Sequence, residues 1–149
     1  MTKFLLAVHV LAAIVAIGPV TVAASMFPPA ARRALAAPDD TRAAETVQLL
    51  HRICKVYAVV GVVVPVFGFA TASTMGVLGS AWLIVSIALT ALAALVLAAL
   101  VLPAQTALME GEGTRERTVQ LAMFTGVFNL LWAAVTILMI IRPGSTTGA

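Results

Sequence analysis

Between Val56 and Met109 the chain runs 54 residues without one Asp, Glu, Lys, Arg or His. As a single helix rising ~1.5 Å per residue it would reach ~80 Å. A hydrocarbon core is only ~30 Å thick and is crossed by ~20 apolar residues. The run must therefore turn back on itself, and the glycines of Gly76-Val77-Leu78-Gly79-Ser80 mark the place. Two further runs flank it: Phe4 to Phe27, broken only by His9, and Val119 to Ile141 with no charge at all. Each is one span long. The sequence reads as an all-α polytopic membrane protein, a four-transmembrane-helix bundle with spans at roughly 4–27, 54–75, 81–102 and 119–141. Residues 142–149 are expected to be a disordered tail, and the whole of 1–149 a single membrane domain.

Hydrophobic residues make up 62% of the chain and charged ones 10%, against roughly 45–50% and 25% in soluble domains. Little sequence is left for a separate catalytic module. The net charge of +3 does not point to nucleic acid, because the basic residues sit at helix ends and not in a stripe with aromatics. Cys54 is the only cysteine, which excludes an intrachain disulfide and a cysteine metal site. It reads as a small packing residue.

The basic residues instead set the orientation. Arg32, Arg33, Arg42, Arg52 and Lys55 belong to the first connection, and Arg115 and Arg117 to the third. Only Lys3 and Arg142 fall on the other side. By the positive-inside rule the two basic connections face the cytoplasm and both termini lie outside. A cleaved signal peptide is the rival reading, with Val22-Ala23-Ala24 as its cleavage site. The 24-residue apolar run exceeds the usual ~7–15 of such a segment, and the charge balance disagrees.

The first connection carries helical signals of its own. Pro28-Pro29 should end or kink the first helix, and Ala30 to Ala37 is rich in helix formers. Pro38-Asp39-Asp40 reads as a turn and N-cap before Thr41. Val47, Leu50, Ile53 and Cys54 form an apolar face that leads into the second span. These are expected to be short cytoplasmic helical extensions. Pro103 should bend the third helix near its end, and Gly111 to Thr114 is a further turn.

Few groups in the spans carry chemistry. Gly68, Ala72 and Gly76 on the second span, and Ser86, Thr90, Ala94 and Ala98 on the third, are ladders of small residues that suit a tightly packed hairpin. Asn129 is the one strongly polar side chain near the middle of a span. Thr125, Asn129, Trp132 and Thr136 share its face, which should point into the bundle or toward a partner. His9 is the only ionisable side chain at hydrocarbon depth, and such residues are functional candidates by default. Its readings are a satisfied neutral imidazole, a haem or metal ligand, or a proton-handling group.

Counting from the outer ends, Thr71, Ser86 and Thr136 lie near the depth of His9, so one polar layer is expected in which a hydroxyl hydrogen-bonds the imidazole. Asn129 and Thr125 make a second level near the midplane. His51, at the cytoplasmic entrance of the second span, is ~20 Å or more from His9 along the membrane normal, which disfavours one haem bridging both. With Arg52 and Lys55 it is expected to face lipid headgroups. The other basic side chains (Arg32, Arg33, Arg42, Arg115 and Arg117) are expected to contact headgroups or a partner. No span carries Asp or Glu, and phosphate loops, HExxH, GxSxG and Cys/His metal spacings are missing.

Several local patterns together resemble a known family. They are Ala7-Val8-His9-Val10-Leu11-Ala12 early in the first span, a basic first loop and His51-Arg52-Ile53-Cys54-Lys55. A glycine turn and an Ala/Leu-rich third span ending in Leu102-Pro103 complete them. This resembles the uncharacterised bacterial four-span family catalogued as domain of unknown function 2269. The resemblance implies a bacterial inner-membrane location and no particular activity. A more distant likeness is to membrane protoporphyrinogen oxidases and copper-resistance D type proteins, which also place a histidine early in the first helix. The aromatic stretch and arginine that usually follow are replaced here by Ile17-Gly18-Pro19-Val20. The function expected is that of a non-enzymatic structural, assembly or interaction component. Alternatives are a haem- or redox-linked protein using His9, or a subunit of a small-molecule carrier. The expected partners are the bilayer and either further copies of the chain or another membrane protein.

Overall fold

The computed structural model describes residues 1–145 and is all-α over them. Its elements are α1 (Thr2–Ala36), α2 (Thr41–Val60), α3 (Val63–Met75), α4 (Ala81–Leu95), a π-helical stretch (Val96–Val101), α5 (Leu102–Met109) and α6 (Arg115–Ile141). Four stretches are long and apolar enough to cross a membrane: Thr2–Ala36, Thr41–Met75, Ala81–Met109 and Arg115–Ile141.

The first helix does not end at Pro28-Pro29. It continues through Pro19, Pro28 and Pro29 to Ala36, so the helical extension expected over 30–37 belongs to it. At 35 residues it is ~52 Å long. Proline supplies no N–H, so Pro28 and Pro29 deprive the carbonyls of Ala24 and Ser25 of their usual donors one turn on. α2 begins where the sequence places its cap: Asp40 Oδ1 accepts from the backbone N–H groups of Arg42, at 3.0 Å, and Ala43, at 3.3 Å. The expected apolar face is buried at Val47, Leu50 and Cys54.

The second long stretch is interrupted at Gly61-Val62, where the proline at 65 leaves the Gly61 carbonyl to accept from Val64 N at 3.1 Å instead. It ends at Gly76, whose φ of +69° is the left-handed conformation that only glycine adopts without steric cost. Val77 N reaches back to the Ala72 carbonyl at 3.2 Å, which closes a Schellman turn. The third long stretch widens into a π-helix just before Pro103, with Leu102 N bonded to the Leu97 carbonyl. Thr114 caps α6 through its hydroxyl, which accepts from Arg117 N at 3.2 Å.

α1 packs against α2, α3 and α6, while α4 and the π stretch pack against α6, and α2 meets α5. The main core gathers Val20, Phe27, Leu50, Cys54, Val101, Leu121 and Phe128. A smaller cluster of Ala72, Trp82 and Leu83 sits beside the Gly76 turn. Large apolar side chains also face outward: Val59 is 74% exposed and Leu130 72%.

Two expectations about packing need correction. Gly68 faces the His9 ring of α1 and not the third helix, so of the expected ladder it is Ala72, clustered with Trp82 and Leu83, that serves the hairpin. On the third helix Ala94 and Ala98 are exposed while Ala93 and Leu97 are buried. The buried face there lies one residue away from the ladder. Nor is the chain shapeless from residue 142 on. Arg142 takes a left-handed conformation with φ 49°, its guanidinium lies 5.5 Å from the centre of the Trp82 ring, and Ser145 N bonds to the Arg142 carbonyl at 3.0 Å. The rest of the expected tail, 146–149, lies outside the described residues.

Candidate functional site

His9 is held by backbone and not by hydroxyls. Its Nδ1 lies 2.8 Å from the Val64 carbonyl. A carbonyl can only accept, so Nδ1 carries the proton, and in the neutral ring Nε2 keeps its lone pair. Gly68 makes room for this arrangement, since a Cβ there would stand 2.9 Å from His9 Cε1.

The three hydroxyls expected around His9 are each spent on their own helix. Thr71 donates to Phe67 O at 2.7 Å, Ser86 to Trp82 O at 2.7 Å and Thr136 to Trp132 O at 2.9 Å. The expected hydrogen-bonded layer is thus replaced by a side chain–backbone bond between α1 and α3. The depth count was blind to this partner, because a backbone carbonyl has no signature in the residue type.

His51 departs from its expected place at the headgroups. It is 9% exposed, and its Nδ1 donates to Gln105 Oε1 at 2.8 Å. Gln105 is fully buried, and its Nε2 points to Cys54 Sγ at 3.6 Å. Phe27 meets the imidazole edge-on, with ring centres 6.5 Å apart. These contacts bind α1, α2 and α5 together. Sequence reasoning missed Gln105, although it is the only amide side chain in the 54-residue run free of charged residues and histidine. The remaining basic residues, Arg32, Arg33, Arg42, Arg52, Lys55, Arg115 and Arg117, are all exposed. Arg117 pairs with Glu112 at 2.8 Å, a surface contact of little energetic weight. His51, Arg52, Lys55 and Gln48 line a shallow cavity of about 360 Å³ with Val56 and Met109.

The site with unmet hydrogen-bonding capacity is a groove of about 370 Å³ between α1 and α6. It is lined by Ser25, Pro28, Pro29 and Arg32 on one side, and by Ala122, Thr125, Gly126 and Asn129 on the other. Asn129 Nδ2 donates to Ser25 Oγ at 3.1 Å. The other end of that amide, Oδ1, is buried without a partner, and so is the hydroxyl of Thr125. Turning the amide over exchanges which end is free but still leaves one unpaired. Thr125 is only 3% exposed, and a buried polar atom left unpaired costs ~1–3 kcal/mol.

The double proline lines the same wall as Ser25, and Pro29 has no N–H to offer the Ser25 carbonyl. Gly126 faces open space, with nothing within 4 Å of a Cβ placed there. Thr125 and Asn129 thus line one groove, and Ser25 is the partner of Asn129 that depth counting overlooked. The groove thus combines an open, partly polar lining with two buried polar atoms that find no partner within the chain.

Among the described residues no group of three or more His, Cys, Asp or Glu stands close enough to hold a metal ion. No protein-family model, curated protein or solved structure matches the chain.

Proposed function

We propose that the chain is an integral membrane protein with four spans and both termini outside the cytoplasm, acting by association and not by bond chemistry. It is an assembly or interaction component whose α1–α6 groove receives polar groups of another molecule. The observation that carries this reading is that Thr125 and Asn129 line an open groove while the Thr125 hydroxyl and one end of the Asn129 amide stay buried and unpaired in the single chain. In hydrocarbon such groups seek a partner, and small neighbouring residues let another helix approach closely. Support for the membrane itself comes from four apolar stretches of spanning length whose outward side chains are hydrophobic.

Crosslinking in native membranes, followed by purification in mild detergent, tests the reading. A species larger than the monomer is expected, and it should be lost when Thr125→Val and Asn129→Leu are combined. A bare monomer under all conditions refutes it.

A second reading rests on His9. Its Nδ1–H is fixed on the Val64 carbonyl, the arrangement that leaves Nε2 as a ligand. A haem- or redox-linked role would then show as a Soret band on adding haem to the purified protein. An unchanged spectrum eliminates it.

A further inference from the structure

The groove asks for an occupant with a particular hydrogen-bonding character. Its unmet groups are an acceptor, Asn129 Oδ1, and a hydroxyl, Thr125 Oγ1. The Ser25 carbonyl, deprived of its donor by Pro29, is a further acceptor. A glycerophospholipid entering from the nearer leaflet carries ester carbonyls below its phosphate. Those are acceptors only, so they can take an N–H or the Thr125 hydroxyl proton but cannot answer Asn129 Oδ1.

The groove's own lining can. Ser25 accepts from Asn129 Nδ2 and keeps its hydroxyl proton to donate, and the amide has a second N–H. One face thus carries spare donors and spare acceptors together. A two-fold contact places the same patch on both sides, so each donor set meets the acceptor set of the other copy.

We propose that this face, built on Ser25, Ala122, Thr125, Gly126 and Asn129, is the interface of a homodimer. The proposal rests on the interaction reading above and names its partner. Ala122 and Gly126 are four residues apart on one helix face, the spacing that brings helices into backbone contact in a bilayer. The open space at Gly126 is where the second copy seats. Arg32 is exposed at the end of the groove, where anionic headgroups screen the two like charges that the contact brings together.

The test uses the full chain, first in lipid nanodiscs. A Cβ at position 126 meets nothing within 4 Å and leucine favours helix, so Gly126→Leu should keep the fold, which helical circular dichroism checks. The dimer population should fall at least tenfold. Thr125→Val, nearly the same shape, should weaken association about 3- to 20-fold. In native membranes and a Cys54→Ala background, Ala122→Cys should form an oxidised dimer. Val127→Cys, on a different side of α6, should not.

A dimer that ignores Gly126→Leu, or that fails to crosslink through Ala122→Cys, overturns this interface. A chain that stays monomeric while its Ala122→Cys variant crosslinks to a different protein also overturns the homodimer, yet leaves the interaction reading standing. A monomer with no crosslink at position 122 to anything overturns both.

Discussion

Gln105→Leu is the perturbation whose outcome can be worked out most fully. Leucine fills nearly the volume of glutamine, so the change removes two polar contacts and little packing. The bond to His51 Nδ1 at 2.8 Å is lost, together with the longer contact to Cys54 Sγ at 3.6 Å. His51, 9% exposed, then holds an N–H with no acceptor, and stranding a buried donor costs ~1–3 kcal/mol. Side-chain hydrogen bonds within membrane bundles average only ~0.6 kcal/mol and reach ~1.7. The two ranges overlap at about 1–1.7 kcal/mol, which is the destabilisation expected.

His51→Phe alone strands the Gln105 carbonyl oxygen and should cost a similar amount. The double variant removes both polar groups and should be closer to the parent than the two losses summed, because replacing both partners by apolar shapes is nearly neutral. Reversible unfolding in mixed micelles, followed by helical circular dichroism, measures all four corners of the cycle. A coupling of about 1 kcal/mol is expected. Additive losses, or a Gln105→Leu variant within ~0.3 kcal/mol of the parent, would show that this bond does not tie α2 to α5.

Gly68→Ala should destabilise by about 1–3 kcal/mol, since its Cβ would stand 2.9 Å from His9 Cε1 and the ring cannot yield without leaving Val64; adding His9→Ala should recover much of the loss in the same unfolding assay. Asp40→Ala removes the cap of α2 and should cost about 1 kcal/mol, read as a lower unfolding midpoint. With the proposed orientation, a cysteine placed at Ala36 should react with an impermeant reagent only from the cytoplasmic side, and a reporter fused after Ala149 should be active outside; reversed labelling refutes the orientation.

The helices, the Gly76 turn and the Asp40 cap were legible because each is written in a local pattern: a run without charge, a glycine able to adopt positive φ, a carboxylate ahead of a helix. Rotation about the helix axes was not. In a span that is apolar all round, periodicity does not say which face turns inward. The Ser86-to-Ala98 ladder therefore meets the buried face at Ser86 but leaves it at Ala94 and Ala98, where Ala93 and Leu97 are buried instead. The same blindness sent His51 outward with its charged neighbours, when Gln105 draws it in. Pro103 announced a disturbance near the end of the third helix, but residue types alone do not distinguish a bend from a π-helical turn. At the groove Asn129 and Thr125 were legible as polar residues four apart on one face. Ser25, supplied by a helix far away in sequence, was not.

The hydroxyls of Thr71, Thr74, Ser86, Thr90, Thr106, Thr118 and Thr136 all fold back onto carbonyls of their own helices. Toward a neighbour they show a methyl group or a bare methylene, so these helices are quieter than their composition implies. Against such a background the buried, unpaired hydroxyl of Thr125 stands out. On the proposed interface, in a bilayer where apolar surfaces are interchangeable, that hydroxyl would tell a second copy of this chain from the other helices around it.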